Sequence, residues 1–368
     1  MEKQQKIDAV IKAWSNKLEP DYLLACFLSY PPVDFKAGID ELGLPVFSAR
    51  FDLTTTMDLA ERKRLQSLPF YKIWSRRLTF KTLFVGTTVS EFSPLPTPFD
   101  SQKAARFLTN EAQKKDYSLV IVKDLPTASA LISDEDAQKT AEFLEKMKQS
   151  GFISVEGQAL AYVPVDYASC DDFLSRFSKN RRKDFRRKMR VMDELDIEVL
   201  ESNSPALQNG DLLKQFYALY VQVFAQSDIH FDLLSEEFFK KLLQSGDESL
   251  RVFVYRDRNG KLLGYNICFV INDMLIDKYI GFDYPQATDN NLYFVSWFFN
   301  LEYARLNGLK YYVAGWTDPE IKAYLGAKFV YTRHAVFIRN RLLRWILKHF
   351  QHHFESDARL KLQGDDQL

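Results

Sequence analysis

A run of ten residues concentrates the charge of this chain. Lys179, Arg181, Arg182, Lys183, Arg186, Arg187 and Lys188 stand against one acid, Asp184, between positions 179 and 188. Seven cations in ten positions exceed what a solvated helix face needs, and guanidinium forks suit phosphate oxygens. Further along, Asp318-Pro319-Glu320 opens a helix, with Pro at the first helical position and acids in the first turn. Capping explains Asp318 and Pro319 but not Lys322, whose ammonium suits an anionic group. His334 falls inside a strand pattern, on the face opposite Arg333. An imidazole titrates near neutral pH and suits a general base. Asp283 and Glu320 are carboxylates fit for the same task. Tyr284 and Tyr293 are phenols able to donate to a carbonyl oxygen or a leaving group.

Other chemistries find no motif. There is no GxGxxG after a strand, no GxxxxGK[ST] and no GxSxG. His349, His352 and His353 cluster on a basic terminal helix without carboxylates, so no metal site is expected. Cys26, Cys170 and Cys268 are far apart and lack CxxC spacing, which excludes a disulfide framework and suits a reducing compartment.

The elements that must position these residues follow an order that occurs twice. In the second copy, 251–255, 263–271 and 276–282 read as strands, 291–306 as a helix, 309–313 as a strand, 318–325 as a short helix and 328–338 as a closing strand. The first copy reads as strand 82–92, helix 101–114, strand 118–122, helix 134–149 and strands 152–155 and 160–165. Segments 22–28 and 44–51 read as strands, and 1–18 and 54–68 as helices. Segment 175–195 reads as one helix with Phe177, Phe185, Met189 and Met192 on one face. Helices are also expected at 210–225 and 233–244. A last amphipathic helix, 342–354, suits docking on the domain or on an anionic membrane surface.

A length of 368 residues, 46% hydrophobic and 14% aromatic, fills two cores better than one. Lys+Arg and Asp+Glu number 49 each, and a neutral whole argues against bulk nucleic acid as the main partner. No stretch of about 18 apolar residues and no leader-like apolar run at the start are found, so a soluble cytoplasmic protein is expected.

Tyr279-Ile280-Gly281-Phe282-Asp283-Tyr284, Asn291-Leu292-Tyr293-Phe294, Glu302-Tyr303-Ala304, Gly308-Leu309-Lys310, Glu320-Ile321-Lys322 and Arg333-His334 together resemble the Gcn5-related N-acetyltransferase superfamily, specifically its FemAB-like branch. The basic helix resembles the start of that branch's second domain. The likeness covers about 170–345. It implies an α/β (α+β) fold of two tandem domains, each a mixed central sheet flanked by helices. The expected division is 1–166, a basic connecting helix in 167–200, 201–345, and a terminal helix and tail in 346–368. One departure stands out. Members that use acetyl-coenzyme A carry a Gly-rich loop before the helix that receives the pyrophosphate, whereas this chain has Gln286-Ala287-Thr288-Asp289-Asn290-Asn291.

The resemblance implies a bacterial-type transferase that moves an acyl or aminoacyl group to an amine. Asp283, Tyr284, Glu320 and His334 are its expected catalytic residues. Arg181, Arg182, Lys183, Arg186, Arg187, Asn291, Tyr293, Trp316, Lys322 and Arg333 are expected to bind donor or substrate. No tightly bound cofactor or metal is expected; acyl-coenzyme A, an acyl-carrier protein or aminoacyl-tRNA would be the co-substrate. The acceptor would be a small-molecule or lipid-linked amine, met in the cytoplasm or at the inner membrane through 342–354. The alternative is a non-catalytic protein of this fold that recognises a glycan, peptide or protein.

Overall fold

The computed structural model describes residues 2–56, 64, 67, 69, 71, 75–227 and 230–350. The first half runs α1 Glu2–Lys12, β1 Trp14–Ser15, α2 Asp21–Ser29, β2 Lys36–Ile39, β3 Pro45–Asp52, β4 Thr79–Val85, β5 Leu95–Pro96, α3 Ser101–Gln113, β6 Leu119–Pro126, α4 Asp134–Gln149 and β7 Ile153–Pro164. Two short helices, α5 Cys170–Ser175 and α6 Lys179–Met189, lead to β8 Asp196–Glu201, α7 Gly210–Gln226 and α8 Glu236–Leu243. The second half continues with β9 Leu250–Arg256, β10 Leu262–Ile271, β11 Met274–Phe282, α9 Gln286–Asp289, α10 Leu292–Leu306, β12 Tyr311–Gly315, α11 Pro319–Tyr324, β13 Lys328–Ile338 and α12 Arg341–Phe350. No helix among the described residues is long and apolar enough to cross a membrane.

Local chemistry explains the better-formed elements. Ser133 caps α4 by accepting from Asp136 N, with Asp134, Glu135 and Asp136 in its first turn and Lys146 and Lys148 in its last. Ala137, Thr140, Phe143 and Met147 then bury one stripe. The β10–β11 hairpin turns through Asn272 and Asp273, both at positive φ, as a tight two-residue turn requires. Along β9, Val252 and Val254 enter one core cluster while Phe253 and Tyr255 enter another, so that strand is apolar on both faces.

Among the described residues, eleven strands form one sheet in the order β2-β3-β4-β6-β13-β7-β12-β11-β10-β9-β8. The boundary expected at 166 has strands of this one sheet on both sides. The closing strand β13 lies antiparallel between β6 and β7 of the first half, and β7 pairs with β12 of the second. Each half contains one parallel pair flanking a helix: β4 with β6 over Thr82–Val85 and Leu119–Val122, and β11 with β12 over Met274–Ile276 and Tyr311–Val313. Beyond each pair the two strands part, leaving a fork in the sheet.

Three local expectations change. Segment 22–28 is helix α2, not a strand; Leu23 to Leu28 are all buried, so the segment has no polar face to show a helical period. Segment 175–195 is not one helix: α5 ends at Ser175, Ser178 caps α6 by accepting from Arg181 N, and a 3₁₀ turn covers Arg190–Glu194. Segments 152–155 and 160–165 are one strand, β7. The helices expected at 54–68 and 342–354 fall partly outside the described residues.

Candidate functional site

The second fork opens between β11 and β12 and holds a buried ammonium. Asp318, in the left-handed region at φ 53, turns the chain into α11 with Pro319 at its start. One turn on, Lys322 is only 4% exposed and its Nζ donates to Ala314 O at 2.6 Å. Gly315 has φ +78; a Cβ there would stand 3.8 Å from Asp277 O and 4.0 Å from Lys322 Nζ. Lys322 Nζ is therefore planted where the two strands separate. Burial pushes its pKa down to about 8, opposed by Asp277, Asp318 and Glu91.

Asp277 forms the other side. Its carboxylate accepts from Asn266 Nδ2 at 3.1 and 2.9 Å, Asn300 Nδ2 at 2.9 Å, Tyr312 OH at 3.0 Å and Cys268 Sγ at 3.6 Å. Burial nevertheless raises its pKa. Asn266 Oδ1, Asn300 Oδ1, Tyr293 OH and Trp297 Nε1 are buried without a hydrogen-bond partner. Trp297 packs edge-on against Tyr312 with ring centroids 5.1 Å apart. Unpaired polar atoms concentrated beside a charged network mark a place where a ligand or water completes the bonding.

On the opposite face, Lys278 meets two carboxylates of the first half, Glu91 at 2.6 Å and Glu19 at 3.2 Å. The basic helix joins the site through α11. Arg181 donates from Nη2 to Ala323 O at 3.0 Å and stacks its guanidinium 4.3 Å from the Tyr324 ring centroid and 4.6 Å from that of Phe177. Arg182 donates to Phe177 O at 2.9 Å. Arg186 and Arg187 pair on the surface with Asp171 and Asp184, and Lys183 is exposed.

The structure thus brings Lys322 and Tyr293 to one fork, with Arg181 beneath α11. Tyr284 is half-buried nearby, its backbone N–H donating to Gln222 Oε1 at 3.2 Å; burial and then Asp318 raise its pKa. Asn291 heads α10 at φ 50 without a side-chain cap bond. Trp316 follows β12 and packs beside the Leu18, Phe92 and Met274 cluster. Four residues stand elsewhere. Asp283 is paired with Lys261 at 2.7 Å. Glu320 is exposed on α11. Arg333 pairs with Glu156 at 3.4 Å, and His334 accepts at Nδ1 from Asp124 N at 2.9 Å, both on β13 in the first half's part of the sheet. Burial lowers the His334 pKa.

Asp277, Asn266, Asn300, Tyr312, Lys278, Glu19 and Glu91 were not singled out from the sequence. A signal existed for some: Asp277-Lys278 interrupts an otherwise apolar strand, and Asn266 and Asn300 sit among buried apolar residues. The loop before α10 does not fit a coenzyme A pyrophosphate. It is wound into α9, Asn290 Nδ2 donates to Gln286 O at 2.8 Å, and Asp289 adds negative charge. Two grooves among the described residues lie away from Lys322. One of about 360 Å³ lies between Leu125–Ala128 and α4, and one of about 400 Å³ between Asn16–Leu18, Ala130–Ser133 and the β10–β11 turn.

A repeated unit of parallel strands flanking a helix, each pair opening into a fork, defines the fold of both halves. The model of the FemAB-like family, described as peptidoglycan biosynthesis/recognition, matches residues 95–364, and the chain belongs to that family. Among solved structures, the C-terminal domain of a protein named lysylphosphatidylglycerol synthetase from Agrobacterium fabrum is similar at 12% identity and TM-score 0.54, covering 94% of each chain. L-PGS from Bacillus licheniformis is similar at 10% identity and TM-score 0.52, over 91% of this chain and 96% of that one. FemX is similar at 13% identity and TM-score 0.50, over 94% and 98%. At these identities the likeness is one of fold. No curated protein matches the chain.

Proposed function

We propose that this protein transfers an acyl or aminoacyl group from an activated carbonyl donor to an amine at the second fork. The observation that carries the reading is the buried Lys322 ammonium, set among polar atoms that lack partners. The amine nitrogen attacks the donor carbonyl, a C–N bond forms, and negative charge develops on the carbonyl oxygen. Lys322 stabilises that oxygen by its charge in a site of low dielectric. Collapse breaks the bond to the leaving oxygen or sulfur, which takes up the proton lost by the amine. Tyr293, with its unpaired hydroxyl, is a second donor to the same oxygen.

The ester of an aminoacyl-tRNA is favoured over a coenzyme A thioester. The loop at α10 lacks a pyrophosphate cradle, and α6 supplies Lys183, Arg186 and Arg187 at the surface for phosphates. The solved relative named for lysylphosphatidylglycerol synthesis supports a lipid acceptor, and since phosphatidylglycerol offers a hydroxyl and no amine, the acceptor class extends from amines to lipid hydroxyls. Leu342 on α12 is 65% exposed beside the exposed Arg341, a composition suited to an anionic membrane surface at the cytoplasmic side.

The test is transfer of radiolabel from a total aminoacyl-tRNA pool and from acetyl-coenzyme A to a panel of amines, by the wild type and Lys322→Met. Transfer from one donor, lost in the variant, is expected. A second reading, a non-catalytic recognition protein, is favoured by one observation: two grooves, of about 360 and 400 Å³, lie away from Lys322. Failure of every donor to bind or react with folded protein would select it.

A further inference from the structure

The strands that part at the second fork carry a groove at their other end. Met274 opens β11 and Tyr311 opens β12, each three residues before the fork, so roughly 10 Å of strand lies between. The groove of about 400 Å³ is lined here by both halves. Its floor is apolar, with Leu18, Leu131 and Met274 buried in one cluster. Tyr311 is half-buried at its wall, edge-on to Tyr162 with ring centroids 6.0 Å apart. The rim is polar and neutral in sum: Lys17 and Lys310 stand against Asp136 and Asp273. These four have partners. Lys17 pairs with Asp21, Lys310 with Asp273 at 2.8 Å, and Asp136 accepts from Ser133 Oγ at 2.9 Å.

Asn16 differs. It leaves β1 at φ 65 and is only 7% exposed. Its Nδ2 donates to Thr140 Oγ1 at 3.2 Å and to Ser93 O at 3.4 Å. The Thr140 hydroxyl gives its own proton to Asp136 O at 2.8 Å, so it can only accept from Asn16, and the amide has one orientation. Neither Thr140 nor Ser93 lines this groove. The amino group therefore turns away from the groove, and Oδ1, on the other side of the amide, is buried without a partner. A buried acceptor left unbonded is costly and marks a place that a donor completes. We propose that this groove binds a neutral mono- or disaccharide, separately from the fork. A sugar offers hydroxyl protons to Asn16 Oδ1, hydroxyl oxygens to the rim ammonium groups, and a C–H face to Tyr311 and Met274. A rim of zero net charge favours neither a phosphate nor an ammonium ligand, and the volume suits a small molecule. A peptide fits less well, because peptides add to free strand edges. Here Met274 is paired with Ile271 and Tyr311, and Tyr311 with Met274 and Pro164.

Binding is read by saturation-transfer NMR on the full-length protein with maltose, cellobiose and di-N-acetylchitobiose, and with tetra-alanine as the peptide probe. The Met274 methyl, labelled with ¹³C and assigned by its loss in Met274→Leu, reports whether the ligand sits in this groove. At least one disaccharide is expected to bind and to shift that methyl. Asn16→Leu is expected to weaken binding about tenfold. Asn16 also holds Ser93 and Thr140, so the exposed Ala130 gives a second variant: Ala130→Trp fills the groove, breaks no buried bond, and is expected to abolish the methyl shift. Lys322→Met is expected to bind as the wild type does. Four results overturn the inference: no disaccharide bound, tetra-alanine bound alone, full affinity in folded Asn16→Leu, or a methyl shift that survives Ala130→Trp. Loss of binding in folded Lys322→Met would move the ligand to the fork and overturn it too. The transferase reading is tested apart from this, by donor transfer.

Discussion

The two forks of this molecule are built alike and filled differently. Beyond the last parallel pair, Val85 with Val122 in the first half and Ile276 with Val313 in the second, the next residues are Gly86 and Lys123 in one and Asp277 and Ala314 in the other. The first fork is plugged by its own residues: Lys123 Nζ reaches across to Thr87 O and pairs with Asp124. Its outer face is covered by the second half. Phe231 lies with its ring centroid 5.0 Å from Phe35, 5.4 Å from Phe51 and 5.6 Å from Phe84, and Val33 N donates to Leu233 O at 2.9 Å. In the second fork the cation arrives from the following helix. Lys322 stands four residues after the Asp318 cap, where the first half has Ala137 four residues after Ser133. Ala137 leaves room, and the groove of about 360 Å³ lies beside it. A duplicated fold need keep only one of its forks for chemistry and can spend the other on joining the halves.

The largest expected effect separates the two lysines. Under the proposed mechanism Lys322→Met removes the charge that would meet the developing oxyanion, and turnover is expected to fall about 10²–10³-fold with folding preserved. Lys123→Met is expected to do the reverse. It strands the buried Asp124 and costs about 3 kcal/mol in urea denaturation, with activity per folded molecule changed less than about tenfold. Equal activity losses in the two variants would erase the distinction between the forks.

How much of this was readable in the chain varies by element. Segments 134–149 and 328–338 were bounded to the residue, because α4 carries its own cap, acids and bases, and β13 alternates in burial along its length. Helix α2 was misread because every residue of its central turn is buried. Lys322 stood out because capping did not explain it. Asp277, Asn266 and Asn300 did not, since their importance lies in mutual proximity across two strands and a helix, which no local pattern displays. His334 and Asp283 show the converse. Both are chemically apt side chains, but register carries one to the first half's part of the sheet, and Lys261 occupies the other.

The pH dependence of stability sharpens the contrast next. The folded Lys322 pKa lies near 8, below the ordinary 10.5. Below pH 8 both folded and unfolded chains hold the proton, and burying the ammonium costs about 3 kcal/mol. Between pH 8 and 10.5 the unfolded chain binds the proton and the folded one does not, so this group's contribution rises with pH. Wild-type stability by urea denaturation is therefore expected to gain between pH 7 and 9.5 relative to Lys322→Met. The variant itself is expected to be no less stable than the wild type at pH 7, as a functional charge held at a cost predicts. A variant clearly less stable at pH 7 would make Lys322 a structural residue.

The smallest effect divides α6 by face. Arg181 is turned inward, bonded to Ala323 O and stacked between Phe177 and Tyr324. Arg181→Ala is expected to cost about 1–2 kcal/mol in stability and to loosen the helix that carries Lys322. Lys183 and Arg187 face outward, and an exposed ion pair such as Arg187 with Asp184 contributes about 0.5 kcal/mol or less. The double change Lys183→Ala/Arg187→Ala is expected to leave the melting temperature unchanged. If the outer face holds a tRNA backbone, the same change weakens tRNA binding and lowers the slope of log affinity against log salt by about 1–2. A salt slope that does not move would assign the outward charges to solvation, and leave α6 to the second fork as a support for α11 rather than a grip on the donor.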